Sequence, residues 1–349
     1  MKHADRIDKR EDIRMKQAKK IKMGILGAGR NAGKMEDTVQ KLNDVEIFAI
    51  ASRNLEKAEE FAKKHGIQTF YGSYEEMVRD KDIELVYIAT PHSEHYKNMI
   101  LCFNHQKHVL CEKAFTINAI QAREVMALAK EKKCFLMEAM WTRFHPFTKQ
   151  VKTCLEEGII GEVKWMEANY GFYSMNTERM YRPELAGGAL LDLGIYPLTA
   201  VSLLFGDHPV HVDTRGILTE LGVDARSQTV LTYADGKMAV VSTSMDSFSD
   251  GKIRIHGTKG FAEIDGVANW ERMRVYDSKR NQVAVFERPE QISGYEYEVE
   301  VACEAIREGK LECAGMPHSQ TLYMMEQMDS LRREWGMQYP METIDIRLN

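Results

Sequence analysis

The chain is predicted to be an α/β protein: an N-terminal doubly wound parallel sheet followed by a second, α+β domain. Three observations carry this. Its 349 residues are more than one hydrophobic core usually organises. Between residues 21 and 140 short apolar runs alternate with helical stretches, the pattern of repeated βαβ units. From about Trp141 the pattern changes to alternating strand runs bounded by turn residues, with two helical stretches closing the chain.

The first apolar run, IKMGIL, leads into GAGRNAGKM, and after a helical stretch a second run, VEIFAIAS, follows. Gly27, Gly29 and Ala32 match the spacing G-x-G-x-x-[GA], with Arg30 and Asn31 in the same turn. Gly27 permits a tight turn, and Gly29 lets backbone approach a pyrophosphate at the helix N-terminus. The second strand ends in Ser52-Arg53, where a chain that binds NAD usually carries a carboxylate for the ribose. A hydroxyl and a guanidinium suit a 2′-phosphate, which favours NADP, with NAD the alternative.

Further runs at 84–90, 107–113 and 134–140 read as strands, separated by helices at 54–65, 92–105 and 117–131. Ligands of such sheets sit beyond the carboxyl ends of the strands. Thr90-Pro91-His92, Glu112-Lys113 and Trp141-Thr142-Arg143 should therefore rim one crevice. The second half reads as a helix near 146–157, a strand at EVKWMEANYGF that contains Tyr170, strand runs VVSTSMDSF, KIRIHG and GFAEIDG, and helices at 294–308 and 318–336. Met324, Met325 and Met328 are spaced for one buried helix face. The expected division is a charged extension at 1–20, a dinucleotide-binding domain at 21–140 and a substrate-binding and dimerisation domain at 141–349.

Composition narrows the class. A net charge of −5 with both signs interspersed argues against nucleic acid as a partner. Six scattered cysteines with no C-x-x-C pair fit reduced thiols in a cytoplasmic protein. No uninterrupted apolar run nears the roughly 18 residues that would span a bilayer, and residues 1–20 lack the apolar core of a secretory signal. His, Cys and carboxylate residues show no metal-ligand spacing, so no metal is expected.

The chemistry concentrates in LCEKAF, around Lys113, and GGALLDLGIY, residues 187–196. A cation, a carboxylate at Asp192 and a phenol at Tyr196 are what a dehydrogenase needs to move a proton while a nicotinamide moves a hydride. A free phenol has a pKa near 10, and an ammonium within about 4–6 Å is expected to lower it by roughly 1–3 units. Asp192 and Tyr196 lie one helical turn apart, and Pro197 requires the helix to begin late or to kink there. His95 and Trp141 are candidates for the pocket, with core packing as the alternative for each; Arg143 and Tyr170 join them.

GAGRNA, ASRN, YGSYEEM, VYIATPHSEH, KHVLCEKAF, LMEAMWTRFHP, GGALLDLGIY and HGTKGFAEI resemble, in order, the glucose-fructose oxidoreductase/inositol dehydrogenase (Gfo/Idh/MocA) family, and within it the NADP-dependent dihydrodiol and D-xylose dehydrogenase branch. The resemblance implies a Rossmann domain, then a domain with a large, open, mainly antiparallel sheet whose outer face pairs subunits into a homodimer. It implies Lys113, Asp192 and Tyr196 as catalytic residues, His95 and Trp141 as pocket walls, and a sugar, polyol or diol as substrate. The family's Glu-Lys-Pro is here Glu112-Lys113-Ala114, so packing has to supply the restraint a proline would give Lys113. The alternatives are a glycoside-cleaving enzyme that oxidises its substrate transiently and a cofactor-bound sensor without turnover.

Overall fold

The computed structural model describes residues 19–342. All but Lys19 and Lys20 of the expected N-terminal extension lie outside the described residues. Six strands form one parallel sheet: β1 (Ile21–Leu26), β2 (Val45–Ala51), β3 (Thr69–Tyr71), β4 (Leu85–Ile88), β5 (His108–Glu112) and β6 (Leu136–Ala139). Their spatial order, β3-β2-β1-β4-β5-β6, reverses direction between β1 and β4. That switch point opens a crevice at the carboxyl ends of the strands. Strands β4 and β6 are buried along their whole length, and β5 from Val109 onward, as expected for a sheet covered on both faces.

The helices connecting these strands are α1 (Arg30–Val39), α2 (Leu55–His65), α3 (Tyr74–Arg79), α4 (His92–Asn104) and α5 (Ala119–Lys132). Asn54, Ser73 and Asn118 cap α2, α3 and α5 by accepting backbone N–H bonds. Strand β3 and helix α3 were not among the expected elements, because three residues and two turns carry too little periodicity to read.

The second domain holds α6 (Pro146–Glu156), β7 (Val163–Gly171), α7 (Glu178–Tyr181), α8 (Ile195–Phe205) and the strands β8 (His211–Leu218), β9 (Asp224–Thr232), β10 (Met238–Ser244), β11 (Ile253–Gly257), β12 (Gly260–Asp265), β13 (Arg272–Asp277) and β14 (Gln282–Glu287). Its eight strands run in the order β14-β13-β12-β11-β7-β10-β9-β8, and every neighbouring pair is antiparallel except β7 with β10. One face buries Met166, Ala168, Val241, Ile253, Ile255 and Ile264, with α8 packed against β7 and β10. Among the described residues the opposite face carries no helix but a row of aromatic rings: Trp165 stacks on His256 at 3.9 Å, His256 on Phe261 at 6.0 Å, and Phe261 on Tyr276 at 4.6 Å.

The closing helices α9 (Glu296–Arg307) and α10 (His318–Glu334) return to the first domain, α9 against α1 and α10 against α5. Met324, Met325 and Met328 are buried there, as their spacing predicted. One correction concerns residues 183–205, a helical stretch of 23 residues long and apolar enough to cross a membrane. Asp192, Thr199 and Ser202 interrupt its apolar run without offsetting it. Most of the stretch is buried within the protein, so it reads as the core helix of the second domain.

Candidate active site

The crevice at the switch point is a cleft of about 780 Å³ walled by both domains. Its floor is the glycine turn. Gly27 has φ +100°, and a Cβ there would lie 2.8 Å from the Ala89 carbonyl, so both conformation and space demand glycine. Gly29 caps α1 without a side-chain bond, and a Cβ at Gly29 would point into open space. The first N–H groups of α1 are therefore uncapped, and Gly29, Arg30 and Asn31 line the cleft. An uncapped helix N-terminus approached over glycine fits a pyrophosphate. Ala32 is buried beneath as packing. At the end of β2, Ser52 accepts the Asn54 N–H at 3.3 Å, and Arg53 is exposed with no ion pair among the described residues.

The carboxyl ends of β4 and β5 supply the next wall. Thr90, Pro91, Glu112 and Lys113 line it, as expected. Glu112 is buried, one oxygen accepting from the Tyr87 hydroxyl and the other from the Lys113 N–H at 3.2 Å. The Lys113–Ala114 peptide is cis, and Ala114 is fully buried. Lys113 Nζ donates to the Asp192 main-chain carbonyl at 2.8 Å and to Asp192 Oδ1 at 3.1 Å, which orients it without a proline.

Asp192 lies in a π turn, Leu190–Gly194, that runs directly into α8. Pro197 occupies the first turn of α8, where a missing N–H is tolerated, and Tyr196 is itself helical. In the π register the carbonyl of Asp192 faces residue 197, which has no N–H to give, and the Lys113 ammonium serves it instead. Asp192 also pairs with Arg179 at 2.9 Å and lies 4.0 Å from His92 Nε2. Burial alone would raise its pKa, but Lys113, Arg179 and His92 outweigh it and hold the carboxyl far below its ordinary range.

Tyr196 is buried with its ring 4.9 Å from Lys113 Nζ and edge-on to Tyr170 at 5.6 Å. Its pKa is raised, not lowered as the sequence alone predicts. Burial, then Glu112, Tyr170 and Asp192, raise the phenol well above its ordinary value. Full burial of the ring is the largest cause, and the Lys113 ammonium beside it is paired with Asp192. Trp141 completes the wall, and its buried indole is directed at the Tyr196 hydroxyl, where it acts to lower the phenol's pKa against burial.

Two expected pocket residues are placed elsewhere. His95 is wholly buried outside the cleft, Nδ1 at 2.9 Å from the Ala114 carbonyl and Nε2 at 2.8 Å from that of Thr90, so it ties β4 to the turn after Lys113. One helical turn earlier, His92 faces the cleft in its stead, with a pKa lowered to about 3 chiefly by burial. Arg143 turns away and donates from Nε to the Gly315 carbonyl at 3.1 Å. In the tight 3₁₀ turn Trp141–Arg143 successive side chains diverge, so Trp141 and Arg143 cannot share a wall.

Sequence reasoning missed Lys34 and Arg179. Lys34 lines the cleft with Nζ over Trp141 at 3.8 Å and Tyr295 at 4.3 Å, and burial lowers its pKa to about 8 against nearby Glu112 and Glu298. Its position one turn after Arg30 on α1 was a usable signal; Arg179 carried none. Glu36, Asp37 and His65 also meet, within 4.8 Å, although no spacing announced it. Glu36 and His65 bond each other at 2.7 Å between α1 and α2, and none of the three lines the cleft.

Residues 21–140 match the oxidoreductase family with an NAD-binding Rossmann fold, and residues 148–263 match the GFO/IDH/MocA C-terminal domain. The chain belongs to the Gfo/Idh/MocA oxidoreductase family. Its Rossmann domain is therefore an NAD(P)-binding one. It is 33% identical over 327 residues to the trans-1,2-dihydrobenzene-1,2-diol dehydrogenase of Xenopus laevis, covering 91% of this chain and 99% of that protein. The Mus musculus enzyme of the same name is 32% identical over 335 residues, with coverages of 92% and 99%. The fold is also that of an NADP-bound 3-ketoreductase from Actinomadura kijaniata, with 23% identity, TM-score 0.79, and 90% of this chain and 97% of that one covered. An aldose-aldose oxidoreductase from Caulobacter crescentus complexed with glycerol superposes with TM-score 0.81 at 23% identity and the same coverages.

Proposed function

We propose that this protein is an NADP-preferring dehydrogenase/reductase that interconverts a hydroxyl and a carbonyl on a diol, polyol or sugar, with Tyr196 as the proton donor and acceptor. The observation that carries this reading is the meeting, in one cleft, of a buried phenol, a Lys113–Asp192 pair and an uncapped nucleotide-type helix. Support for a diol or sugar comes from the full-length likeness to dihydrodiol dehydrogenases and from the aromatic walls Trp141 and Tyr170. The bound nicotinamide would supply or take the hydride at the carbinol carbon.

The residues then divide the remaining work. Tyr196, protonated because it is buried, donates its hydroxyl proton to the carbonyl oxygen in reduction and has to recover it in oxidation. Lys113, oriented by Asp192, carries the positive charge nearest the phenol ring and stabilises the oxygen that becomes anionic. The Trp141 side chain, facing the Tyr196 hydroxyl, opposes the rise in the phenol's pKa. The Gly29–Asn31 turn takes the pyrophosphate, and Ser52 with Arg53 the 2′-phosphate.

The reading extends to a homodimer through the aromatic outer face of the eight-stranded sheet and to a reducing cytosol, where the six free cysteines, five of them buried, would remain thiols. The test is a panel of trans-dihydrodiols, polyols and aldoses followed by NADPH absorbance, with NAD in parallel. Turnover of a panel member with NADP above NAD supports the proposal. Absence of turnover with either cofactor overturns it.

A further inference from the structure

We propose that Asp224 is a positioning residue for the catalytic helix: its carboxylate anchors the turn from which Asp192 and Tyr196 are presented. This rests on the reading of those residues given above. Asp224 opens β9, on the sheet rather than in the cleft, and is fully buried. Its Oδ2 accepts the Leu190 N–H at 2.6 Å, and Leu190 is the first residue of the π turn that contains Asp192. No ion pair engages it among the described residues, and burial raises its pKa to about 7 against the Leu190 hydrogen bond, so the side chain serves the helix terminus as a hydrogen-bond acceptor rather than as a fixed charge.

The glycine pair ahead of the turn is shaped around this anchor. Gly188 has φ +117°, and a Cβ there would overlap Asp224 Oδ1, the oxygen with no hydrogen-bond partner. Gly188 N–H donates to the Met180 carbonyl at 2.7 Å, and a Cβ at Gly187 would lie 2.5 Å from that same oxygen. From the opposite side the Tyr339 hydroxyl donates to the Gly187 carbonyl at 2.7 Å. The turn is thus held by α7, by β9 and by the C-terminal segment. Two residues past the anchored N–H lies the Asp192 carbonyl that receives Lys113 Nζ, so a slip of the turn displaces the partner of Lys113 directly.

The acceptor oxygen is the element under test, which Asp224→Asn keeps and Asp224→Ala removes. In the full-length protein, Lys113 acylation by acetic anhydride is followed by peptide mass spectrometry against exposed Lys97, with circular dichroism reporting the folded fraction. Asp224→Ala should raise Lys113 reactivity and lower kcat by about tenfold each, the size of a lost helix cap, with KM for substrate and cofactor near wild type. Asp224→Asn should stay near wild type in both. If the alanine variant does not fold, Asp224→Val fills the space without an acceptor and takes its place. A folded alanine or valine variant with unchanged Lys113 reactivity, or an asparagine variant as impaired as alanine, would overturn the proposal. Lack of turnover in the wild type would sink the functional reading instead, and Lys113 labelling would still decide the anchor.

Discussion

A phenol that burial keeps protonated has a direction built into it. Tyr196 is ready to give a proton at neutral pH and reluctant to take one, so carbonyl reduction should run near neutrality while alcohol oxidation climbs with pH. Comparing kcat in both directions between about pH 6 and pH 10 checks this, since a free phenol titrates near 10. Tyr196→Phe should keep cofactor affinity and lose roughly 10²–10⁴-fold in turnover; near-normal kcat with a full deuteride isotope effect would remove Tyr196 from the chemistry. Lys113→Met leaves Asp192 with one strong cation fewer, so its carboxyl pKa rises and the acid limb of kcat/KM should move toward neutral pH. An unmoved limb would mean that Lys113 does not govern Asp192. Arg53→Ala should weaken NADP by about 1.5–3 kcal/mol, the range for a hydrogen bond to a charged group, and leave NAD unchanged in calorimetry. Of these residues, Lys113, Asp192, Tyr196 and Arg53 were legible in the sequence because each stands in a motif. His92 and His95 were not separable, since three residues on a helix decide which imidazole faces the cleft and only the packed helix shows it.

At the scale of elements, α9 brings the most unusual burial. Glu298 lies on its inner face, one oxygen without a partner, near Lys34, Glu112, Glu138 and Glu296, and burial first, then Glu112, raises its pKa well above the ordinary value. A carboxyl raised in the folded state binds a proton there that the unfolded chain releases above a pKa of about 4.3. Its contribution to stability is therefore present at low pH and declines as pH rises from that value toward the folded pKa, by up to about 1.4 kcal/mol per unit. Glu298→Gln should abolish this slope and stabilise the protein more at pH 7 than at pH 5, as measured by urea denaturation. Equal effects at the two pH values would contradict a raised Glu298. Helical periodicity placed α9 within two residues but could not say that carboxyl groups from α9, β5 and β6 meet.

For the whole molecule, the face of the eight-stranded sheet that no described residue covers is the main unspent surface. Trp165 is 40% exposed and Met238, its register partner on β10, 44%. A homodimer through this face should bury well above about 1,000 Å² and sediment as a dimer at micromolar concentration. Trp165→Glu places a charge in the aromatic row and should shift the protein toward monomer without unfolding it, because the residue is not part of the core. A monomeric wild type would refute the interface.

The sequence by itself determined the parallel sheet, the glycine turn and the motif residues Lys113, Asp192 and Tyr196 that line the cleft, because these follow from local rules: apolar period, turn chemistry and motif spacing within a dozen residues. It left the strands β8, β9, β13 and β14 unread; in β8 Thr214 and Gly216 take inner positions, and in β14 Val283 and Val285 take outer ones, which blurs the apolar alternation. Only the tertiary structure decided that Lys113 pairs with Asp192 across 79 positions, that Tyr196 is raised rather than lowered, and that Asp224 reaches back to Leu190. A pKa and an ion pair depend on distances of a few ångströms between residues far apart in the chain, and those distances exist only once both domains have packed.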